Sequence, residues 1–500
     1  MTWSNILTYQ TKIKKKHNLD LLAGYEINSK ESDGLGTTIS NFARWDKPEV
    51  NNGVVYQSMG GSNSTTRIVS YITRANYDYD NKYYLGASWR TDGSSRLARE
   101  NRWGNFWSLS GAWRVSSESF MKPLQNWLSD LKLRVSYGVN GTLPSSYYGY
   151  MGLSSLTSNY NDNPGIKQSQ LENKELTWET NYNFNSGIDL GFFDNRLNVT
   201  FEYYVRTTKN LLYSRPLSLA TGFSSYLANI GKLQNKGYEL EIRSTNIETK
   251  DFRWSTSLNL GHNANKILKL DGDLKQVTSG TSIHKVGLPY STYYMIEFAG
   301  IDPVDGEPMF YKNTTDENGN LNKETTKDPR SAEKVILQCA DPTITGGLGN
   351  SISYKWFDLN FNVNFSFGAW NYDGAAGKLE HGGDGTLNIP IYYRKRWQKE
   401  GDETSIERFV VGRSISMTDY ATTRRLYSGD YVRLKNLTFG FTLPKTWTRK
   451  VGIDNIRLYA SGNNLLTWAA YDYIDPESGS SPSWDTPPMR TYTFGLEVKF

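Results

Sequence analysis

Apolar and polar residues alternate along much of this chain. Between Phe357 and Phe367 every second residue is aromatic or aliphatic, and the residues between them are Asp358, Asn360, Asn362, Asn364 and Ser366. Alternation with a period of two predicts a β-strand with one apolar and one polar face. A tilted strand needs about ten residues to cross a bilayer, so this segment has the length and pattern of a membrane-spanning strand.

The same alternation recurs from one end of the chain to the other. Clear examples lie at 131–137, 197–206, 252–260 and 491–500, and weaker ones at 18–27, 67–79, 82–91, 105–115, 176–191, 237–247, 344–354, 430–443 and 455–466. With the opening segment they make about fifteen strands, while helical periodicity is almost absent. The pattern predicts an all-β fold, an antiparallel transmembrane β-barrel segment.

The connections between these segments alternate between short and long. Short turns are expected at Asp80-Asn81, Asp194-Asn195, Glu248–Lys250 and Lys355-Trp356. Long polar connections lie near 28–66, 140–174, 209–235, 263–343 and 369–429. Outer-membrane barrels have short periplasmic turns and longer extracellular loops. We therefore expect one domain over residues 1–500, with the five long connections outside the cell.

Composition excludes several other classes of protein. The 500 residues are 37% hydrophobic with a mean hydropathy of −0.60, and no apolar run reaches the roughly 18 to 20 residues of a transmembrane helix. A single cysteine, Cys339, and four widely separated histidines give no zinc or thiol site. Lys and Arg number 56 against 51 Asp and Glu, and no basic run is longer than Lys14–Lys16. Nucleic-acid binding is therefore not expected.

The strand count indicates that strands are missing. If the C-terminus faces the periplasm, counting back from the last strand places every long connection outside and gives an odd number of strands. Bacterial single-chain barrels have an even number. We therefore expect further strands before residue 1, and no signal peptide is recognisable at the start of the sequence.

Several ordered segments resemble landmarks of the SusC/RagA family of TonB-dependent outer-membrane transporters of Bacteroidota. One is Thr-Asp-Gly-Ser-Ser-Arg at 91–96, and another is Gly-Asp-Tyr-Val-Arg-Leu-Lys-Asn at 429–436. The others lie at 74–90, 101–116, 131–138, 176–180, 191–197, 229–237, 299–303 and 458–468. The resemblance covers the whole chain and implies the C-terminal part of a 22-strand barrel whose plug is absent from this sequence.

The resemblance also implies a function and partners. The chain is expected to form barrel wall and extracellular loops for the import of oligosaccharides or other large nutrients. A SusD-like lipoprotein would cover the outer loops, and TonB would act through a plug and a TonB box that this chain does not contain. Outer-membrane lipid would surround the barrel.

The last strand carries the first candidate site. It ends the chain with an aromatic residue, and its apolar face consists of Tyr492, Phe494, Leu496, Val498 and Phe500. This resembles the signal by which the barrel-assembly machinery recognises its clients. The same side chains also suit a face that contacts lipid.

Aromatic residues in the long connections form the second candidate site. Tyr147, Tyr148, Tyr150 and Trp370 could stack on sugar rings or contact the lipoprotein. The alternative, which we favour slightly, is that they pack within their own loops.

Nothing in the sequence indicates catalysis, a cofactor or a metal site. Glu239 and Glu241 share one face of a strand, but on the barrel interpretation that face lines the aqueous lumen. Residues 90–96 are expected to form a turn around Asp92 on an outer loop, and Asp316–Leu321 lacks the ligand series of a calcium loop. The competing interpretation is a soluble all-β carbohydrate-binding protein, which would bury its apolar strand faces.

Overall fold

Strands dominate the structure, as the alternating pattern predicts. The computed structural model describes residues 1–161, 163–270, 272, 274–316, 319–383, 388–412, 420–471, 473–478 and 487–500. In this part of the chain the strands are β1 (Thr2–Ile13), β2 (His17–Phe42), β3 (Gly53–Tyr79), β4 (Tyr83–Ser94), β5 (Trp103–Arg114), β6 (Leu128–Thr142), β7 (Leu153–Tyr160), β8 (Asn163–Gln170), β9 (Glu179–Phe192), β10 (Leu197–Lys209), β11 (Leu212–Pro216), β12 (Ser225–Asn229), β13 (Lys232–Glu248), β14 (Phe252–Lys269), β15 (Gln276–Ser279), β16 (Ser282–Lys285), β17 (Thr292–Ile296), β18 (Phe298–Ile301), β19 (Pro308–Tyr311), β20 (Thr325–Thr326), β21 (Lys334–Cys339), β22 (Ile344–Tyr354), β23 (Phe357–Phe367), β24 (Trp370–Tyr372), β25 (Leu426–Ser428), β26 (Tyr431–Thr442), β27 (Asn455–Ala469) and β28 (Thr491–Lys499).

The described residues also contain two short α-helices, α1 (Gly374–Leu379) and α2 (Lys445–Thr448). None of their helices is long and apolar enough to cross a membrane. Fifteen of the strands pair in the order β1-β2-β3-β4-β5-β6-β9-β10-β13-β14-β22-β23-β26-β27-β28, and each pair whose register is given is antiparallel. The prediction of an all-β fold with about fifteen strands is confirmed.

The chain divides into two compact units. Unit 1 consists of Met1–Glu118, Lys132–Ser186 and Val205–Leu233, and unit 2 of Ser119–Leu131, Gly187–Tyr204 and Gln234–Phe500. In each unit the predicted tight turns are present. Asp80 and Asn81 in unit 1 both have positive φ (58° and 53°), the backbone that a two-residue hairpin requires, and Lys355 in unit 2 has φ 52°.

In unit 1, strand pairing extends much further into the first long connection than predicted. Within 28–66 only residues 43–52 lie between strands: β2 continues to Phe42 and β3 begins at Gly53, with pairs such as Leu35 with Gly61 and Thr37 with Met59. Most side chains of this extension are exposed on both faces. Because both faces are exposed alike there, the sequence needs no apolar alternation, while backbone hydrogen bonds continue the ladder.

The other long connections contain small sheets of their own. In unit 1, β7 pairs with β8 inside 140–174, and β11 pairs with β12 inside 209–235. In unit 2, the connection 263–343 contains β15 to β21, and 369–429 contains α1, β24 and β25. These strands are mostly four to eight residues long, which is too short for periodicity to reveal them.

Buried apolar cores lie mainly in the connections, with Phe106 contributed by the long strand β5. In unit 1, Leu97, Phe106, Leu176 and Trp178 form one core, and Phe106 and Trp178 meet edge to face. In unit 2, Ile296 and Phe310 form another. Packing in these cores therefore holds the connections in a fixed arrangement.

The apolar face of the long strands of unit 1 is left uncovered by the described residues. Leu85 on β4 is 62% exposed and Leu109 on β5 is 56% exposed, although both lie within paired strands. Their cross-strand partners on the same face, Gly111 and Ala87, are also apolar. A soluble protein would bury such a continuous face, so this arrangement requires an apolar surrounding.

Candidate functional site

The polar face of the strands in unit 2 is the first part of the candidate site. Register places Asn364 opposite Gly347, Asn362 opposite Gly349, and Asn360 opposite Ser351. Amide and hydroxyl side chains therefore alternate with small residues across β22 and β23. This face of the sheet, which we call the polar wall, therefore presents hydrogen-bonding groups between small residues.

A recess of about 720 Å³ lies on this wall and contains the carboxylates that the sequence singled out. Glu239 and Glu241 line it together with Glu202. Most of their neighbours in the recess carry hydroxyl or amide groups or no side chain, and include Thr200, Asn259, Thr345, Gly347, Asn364, Ser366 and Tyr431, while Leu240, Leu260 and Phe365 add apolar surface. The predicted wet environment of Glu239 and Glu241 agrees with this placement.

A second recess of about 330 Å³ adjoins the first but is lined by basic groups. Arg196 and Arg243 line it with serine, threonine and asparagine side chains. Arg243 also hydrogen-bonds to Glu241, which lines the first recess. The polar wall is thus acidic in one recess and basic in the next. No group of three or more His, Cys, Asp or Glu within the described ranges is placed to hold a metal ion.

A cluster of tyrosines in the connections of unit 2 is the second part of the site. The rings of Tyr427 and Tyr471 are stacked with centroids 3.6 Å apart. The ring centroid of Tyr473 lies 5.3 Å from that of Tyr471 and 5.3 Å from that of Tyr392. Tyr392, Tyr427 and the neighbouring pair Tyr471 and Tyr473 are far apart in the sequence, and they are brought together by β25 and the connections after β23 and β27.

Carboxylates hold the hydroxyls of two of these tyrosines. Tyr392 donates to Glu380 Oε1 at 2.5 Å, and Tyr471 donates to Asp373 Oδ2 at 3.3 Å. Asp373 also caps α1 by accepting from the Ala376 amide at 2.7 Å. Burial raises the pKa of Asp373, and burial together with the neighbouring carboxylates raises the pKa of Tyr392 and of Tyr471. The tyrosines are therefore neutral donors at physiological pH.

Two arginines form ion pairs with the buried glutamates next to the tyrosine cluster. Arg424 bridges Glu407 and Glu380, and Arg425 Nε donates to Glu380 Oε2 at 3.2 Å. Glu407 is fully buried and also accepts from the Tyr393 hydroxyl at 3.0 Å. Two positive and two negative charges balance in this network, which fixes the backbone from which the tyrosines project.

Trp370 belongs to the same connection as these tyrosines but not to their cluster. It pairs with Ser428 across β24 and β25, whereas the adjacent pair is Asn371 with Tyr427. Because neighbouring pairs point to opposite faces, Trp370 and Tyr427 lie on opposite sides of this small sheet. The clustered residues of 369–429 are therefore tyrosines that the sequence analysis did not single out, and a role of Trp370 in binding stays a prediction.

Tyr147, Tyr148 and Tyr150 are half-buried in unit 1 and make contacts within it. Arg96 lies 4.3 Å above the Tyr147 ring, and the Tyr148 hydroxyl accepts from the Thr65 amide at 3.0 Å. Tyr150 packs against the core that contains Leu97 and Trp178. These contacts favour loop packing, while a role in binding ligand or lipoprotein stays a prediction.

The motif at 91–96 differs from its prediction. Asp92 and Ser94 belong to β4 and are buried. Asp92 accepts from Arg90 Nε at 2.7 Å rather than closing a solvated turn, and Arg90 also reaches Ser70. These residues form an ordered end of β4. Residues that are two positions apart on a strand share one face, so the Arg90 and Asp92 side chains can meet.

Asp316–Leu321 can be described only in part, because Glu317 and Asn318 lie outside the described residues. Asp316 accepts from the Asn320 amide at 2.7 Å and from its side-chain amide at 3.2 Å. These bonds are typical of a turn closed by an aspartate.

The last strand, β28, presents four of the five predicted residues on one face, and the fifth, Phe500, follows the strand directly. Tyr492, Leu496 and Val498 are exposed, Phe494 is 83% exposed, and the terminal Phe500 is 89% exposed. Cross-strand pairing with β27 places Phe494 opposite Ala460 and Leu496 opposite Leu458. Recognition of this face by the assembly machinery stays a prediction.

Comparison with known proteins agrees with this architecture. A family model described as TonB dependent receptor-like, beta-barrel matches residues 2–465. The chain is 34% identical to TonB-dependent receptor P3 of Formosa agariphila, over 99% of this chain and 52% of that protein. It is 30% identical to TonB-dependent receptor SusC of Bacteroides thetaiotaomicron, over 87% of this chain and 44% of that protein.

Among solved structures, the RagAB peptide transporter matches with a TM-score of 0.86 and 29% identity, over 100% of this chain and 55% of that one. The chain spans about half the length of the curated relatives it matches.

Proposed function

The chain belongs to the family of TonB dependent receptor-like β-barrels, which are outer-membrane proteins, and on that premise we propose that it takes part in TonB-dependent import of oligosaccharides. It supplies barrel wall and outer connections to this process. The cargo passes along the polar face of the strands while the apolar face contacts lipid.

The observation that carries this proposal is the opposite character of the two faces. In unit 2 the apolar face of the strands is exposed, as Phe357 and Phe367 on β23 and Leu458 on β27 show. The polar face of the strands in unit 2 carries adjoining recesses lined by amide, hydroxyl and charged groups. A wall with hydrocarbon on one side and water on the other suits a barrel that conducts a hydrophilic cargo.

The chemistry of the wall supports an oligosaccharide as the cargo. Asparagine amides and serine or threonine hydroxyls both donate and accept hydrogen bonds, so they complement sugar hydroxyls in any orientation. A peptide is the second candidate, because the 29% identical RagAB protein is a peptide transporter. Members of this family generally act as transporters and not as enzymes, and we expect either cargo to pass unchanged.

The proposal includes partners that lie outside this chain. A SusD-like lipoprotein is expected to cover the outer connections, and TonB is expected to supply energy through a plug and TonB box. The resemblance to SusC and to the RagAB transporter supports both expectations. The barrel-assembly machinery is expected to insert the protein by recognising β28.

A pair of adjacent substitutions in β23 tests the proposal. Asn362→Trp places a bulky ring on the polar face opposite Gly349, and Val363→Trp places the same ring on the apolar face. In cells that express equal amounts in the outer membrane, we expect N362W to slow uptake of labelled oligosaccharides and V363W to leave it unchanged. Labelled oligopeptides are measured in parallel.

Three outcomes separate the alternatives. Slowed uptake of oligosaccharides alone supports the proposal, and slowed uptake of peptides alone supports the second candidate. Unchanged uptake of both cargoes in N362W would overturn the proposed path along this face.

A further inference from the structure

The tyrosine cluster of unit 2 leaves one ring open to solvent. Tyr473 is 70% exposed, although it contacts two other rings. Its plane is tilted by 58° against Tyr471 and by 59° against Tyr392. Those two contacts lie on the protein side, so most of the ring surface remains free to receive a ligand.

The rings that support Tyr473 are themselves fixed. Tyr471 is stacked on Tyr427 and bonds to Asp373 through its hydroxyl. Tyr392 bonds to Glu380, which is held by Arg425. A ring supported in this way loses little conformational freedom on binding, which favours affinity.

The charged groups that hydrogen-bond to the tyrosines of the cluster, and the arginines paired with them, are already engaged. Glu380 and Glu407 are paired with Arg424 and Arg425, and Asp373 accepts two hydrogen bonds within a buried site. A charged ligand group would therefore find no unengaged partner among these residues. A neutral ligand with an apolar face and polar edges fits better, because it stacks on the ring and keeps its edges hydrated.

We propose that Tyr473, supported by Tyr471 and Tyr392, is a stacking platform for a sugar ring of a neutral oligosaccharide. The proposal rests on the function proposed above and names a residue that contacts the cargo. The axial C–H groups of a pyranose ring form a flat apolar face that matches the exposed face of a tyrosine. The hydroxyls of the sugar remain in water or reach the surrounding connections.

Binding to the purified full chain tests this platform. The probes are short neutral glucans, xylans and mannans, measured by calorimetry against wild type, Tyr473→Ala and Tyr473→Phe. We expect at least one probe to bind, Y473A to weaken its binding by about tenfold, and Y473F to weaken it by less than about threefold, because stacking needs the ring and not the hydroxyl.

A matched control uses another exposed tyrosine. Tyr160, at the end of β7 in unit 1, is 85% exposed, and Tyr160→Ala is expected to bind the probes like wild type. The side chain of Tyr473 is largely exposed, so Y473A should fold, and equal protease resistance of the variants checks this.

The platform is overturned if wild type binds none of the probes, if Y473A binds like wild type, or if Y473F loses as much binding as Y473A. The proposed import function and the proposed stacking platform at Tyr473 can be rejected separately. Normal oligosaccharide uptake by Y473A cells with unchanged binding rejects only the platform, whereas ring-dependent binding without any uptake in wild-type cells rejects only import.

Discussion

Arg433 on β26 donates to Asp475 Oδ2 at 2.5 Å, although the two residues are 42 positions apart. Arg433 is only 2% exposed, and it also donates to Glu477 at 2.7 Å and to the Thr467 hydroxyl at 3.0 Å. One guanidinium thus ties the connection after β27 to the wall of unit 2. Its planar fork suits two carboxylates at once.

Arg433→Ala should strongly destabilise unit 2. It leaves Asp475 and Glu477 without their buried partner, and breaking a buried ion pair costs about 3 to 5 kcal/mol. Thermal unfolding of the purified protein measures this loss. The control is Lys435→Gln, which removes an exposed partner of the same Glu477 and should cost at most about 1 kcal/mol. Equal effects of both substitutions would contradict the role of burial.

Gly495→Val should destabilise the pair formed by β27 and β28. Gly495 is opposite Tyr459, and an added Cβ would lie 2.1 Å from Cζ of the Tyr459 ring. Overpacking of this kind costs about 1 to 3 kcal/mol. Unfolding in detergent measures the cost, and the double variant with Tyr459→Ala should recover part of it, because the ring that causes the clash is gone.

A valine at an open glycine position provides the control. Nothing lies within 4 Å of a Cβ added to Gly36, on the exposed extension of β2. Gly36→Val should change stability by less than about 0.5 kcal/mol. A comparable loss at Gly36 would mean that valine destabilises these strands without any clash.

Periodicity predicted the long strands well because the membrane imposes it. The predicted bounds 344–354 and 357–367 coincide with β22 and β23, where each face meets a different solvent. The pattern failed in 28–66, where both faces of β2 and β3 are exposed to the same solvent and no alternation is needed. It also missed the short strands of the connections, whose order comes from local cores such as Leu97 with Trp178.

The polar wall was predictable, whereas the tyrosine cluster was not. Glu239 and Glu241 share a face by simple alternation, so their position on the wet side follows from the strand itself. Tyr392 and Tyr427 lie well apart in one connection and Tyr471 lies in another, and only the tertiary fold brings them together. The abundance of tyrosine in 369–429 and after β27 is the signal that could have indicated them.

Tyr148→Phe should cost about 1 kcal/mol of stability and leave cargo binding unchanged. The substitution removes the hydroxyl that accepts from the Thr65 amide, and one such hydrogen bond contributes about 0.5 to 1.5 kcal/mol. Unfolding and oligosaccharide binding are measured on the same sample. Weaker binding without loss of stability would assign Tyr148 to the cargo site and not to loop packing.

Phe500→Ser should reduce the amount of protein that reaches the outer membrane without changing its stability once folded. Phe500 is 89% exposed and follows β28 directly, so removing its ring disturbs little packing in the folded chain. Assembly in cells is measured by the heat-sensitive gel mobility of folded barrels, and stability by unfolding of the purified protein in detergent. Met489→Ser is the matched control, because Met489 is an exposed apolar residue just before β28, and it should leave assembly unchanged. If Phe500→Ser lowers stability as much as it lowers assembly, the terminal ring acts by packing in the folded state and the recognition role of the last strand has to be abandoned.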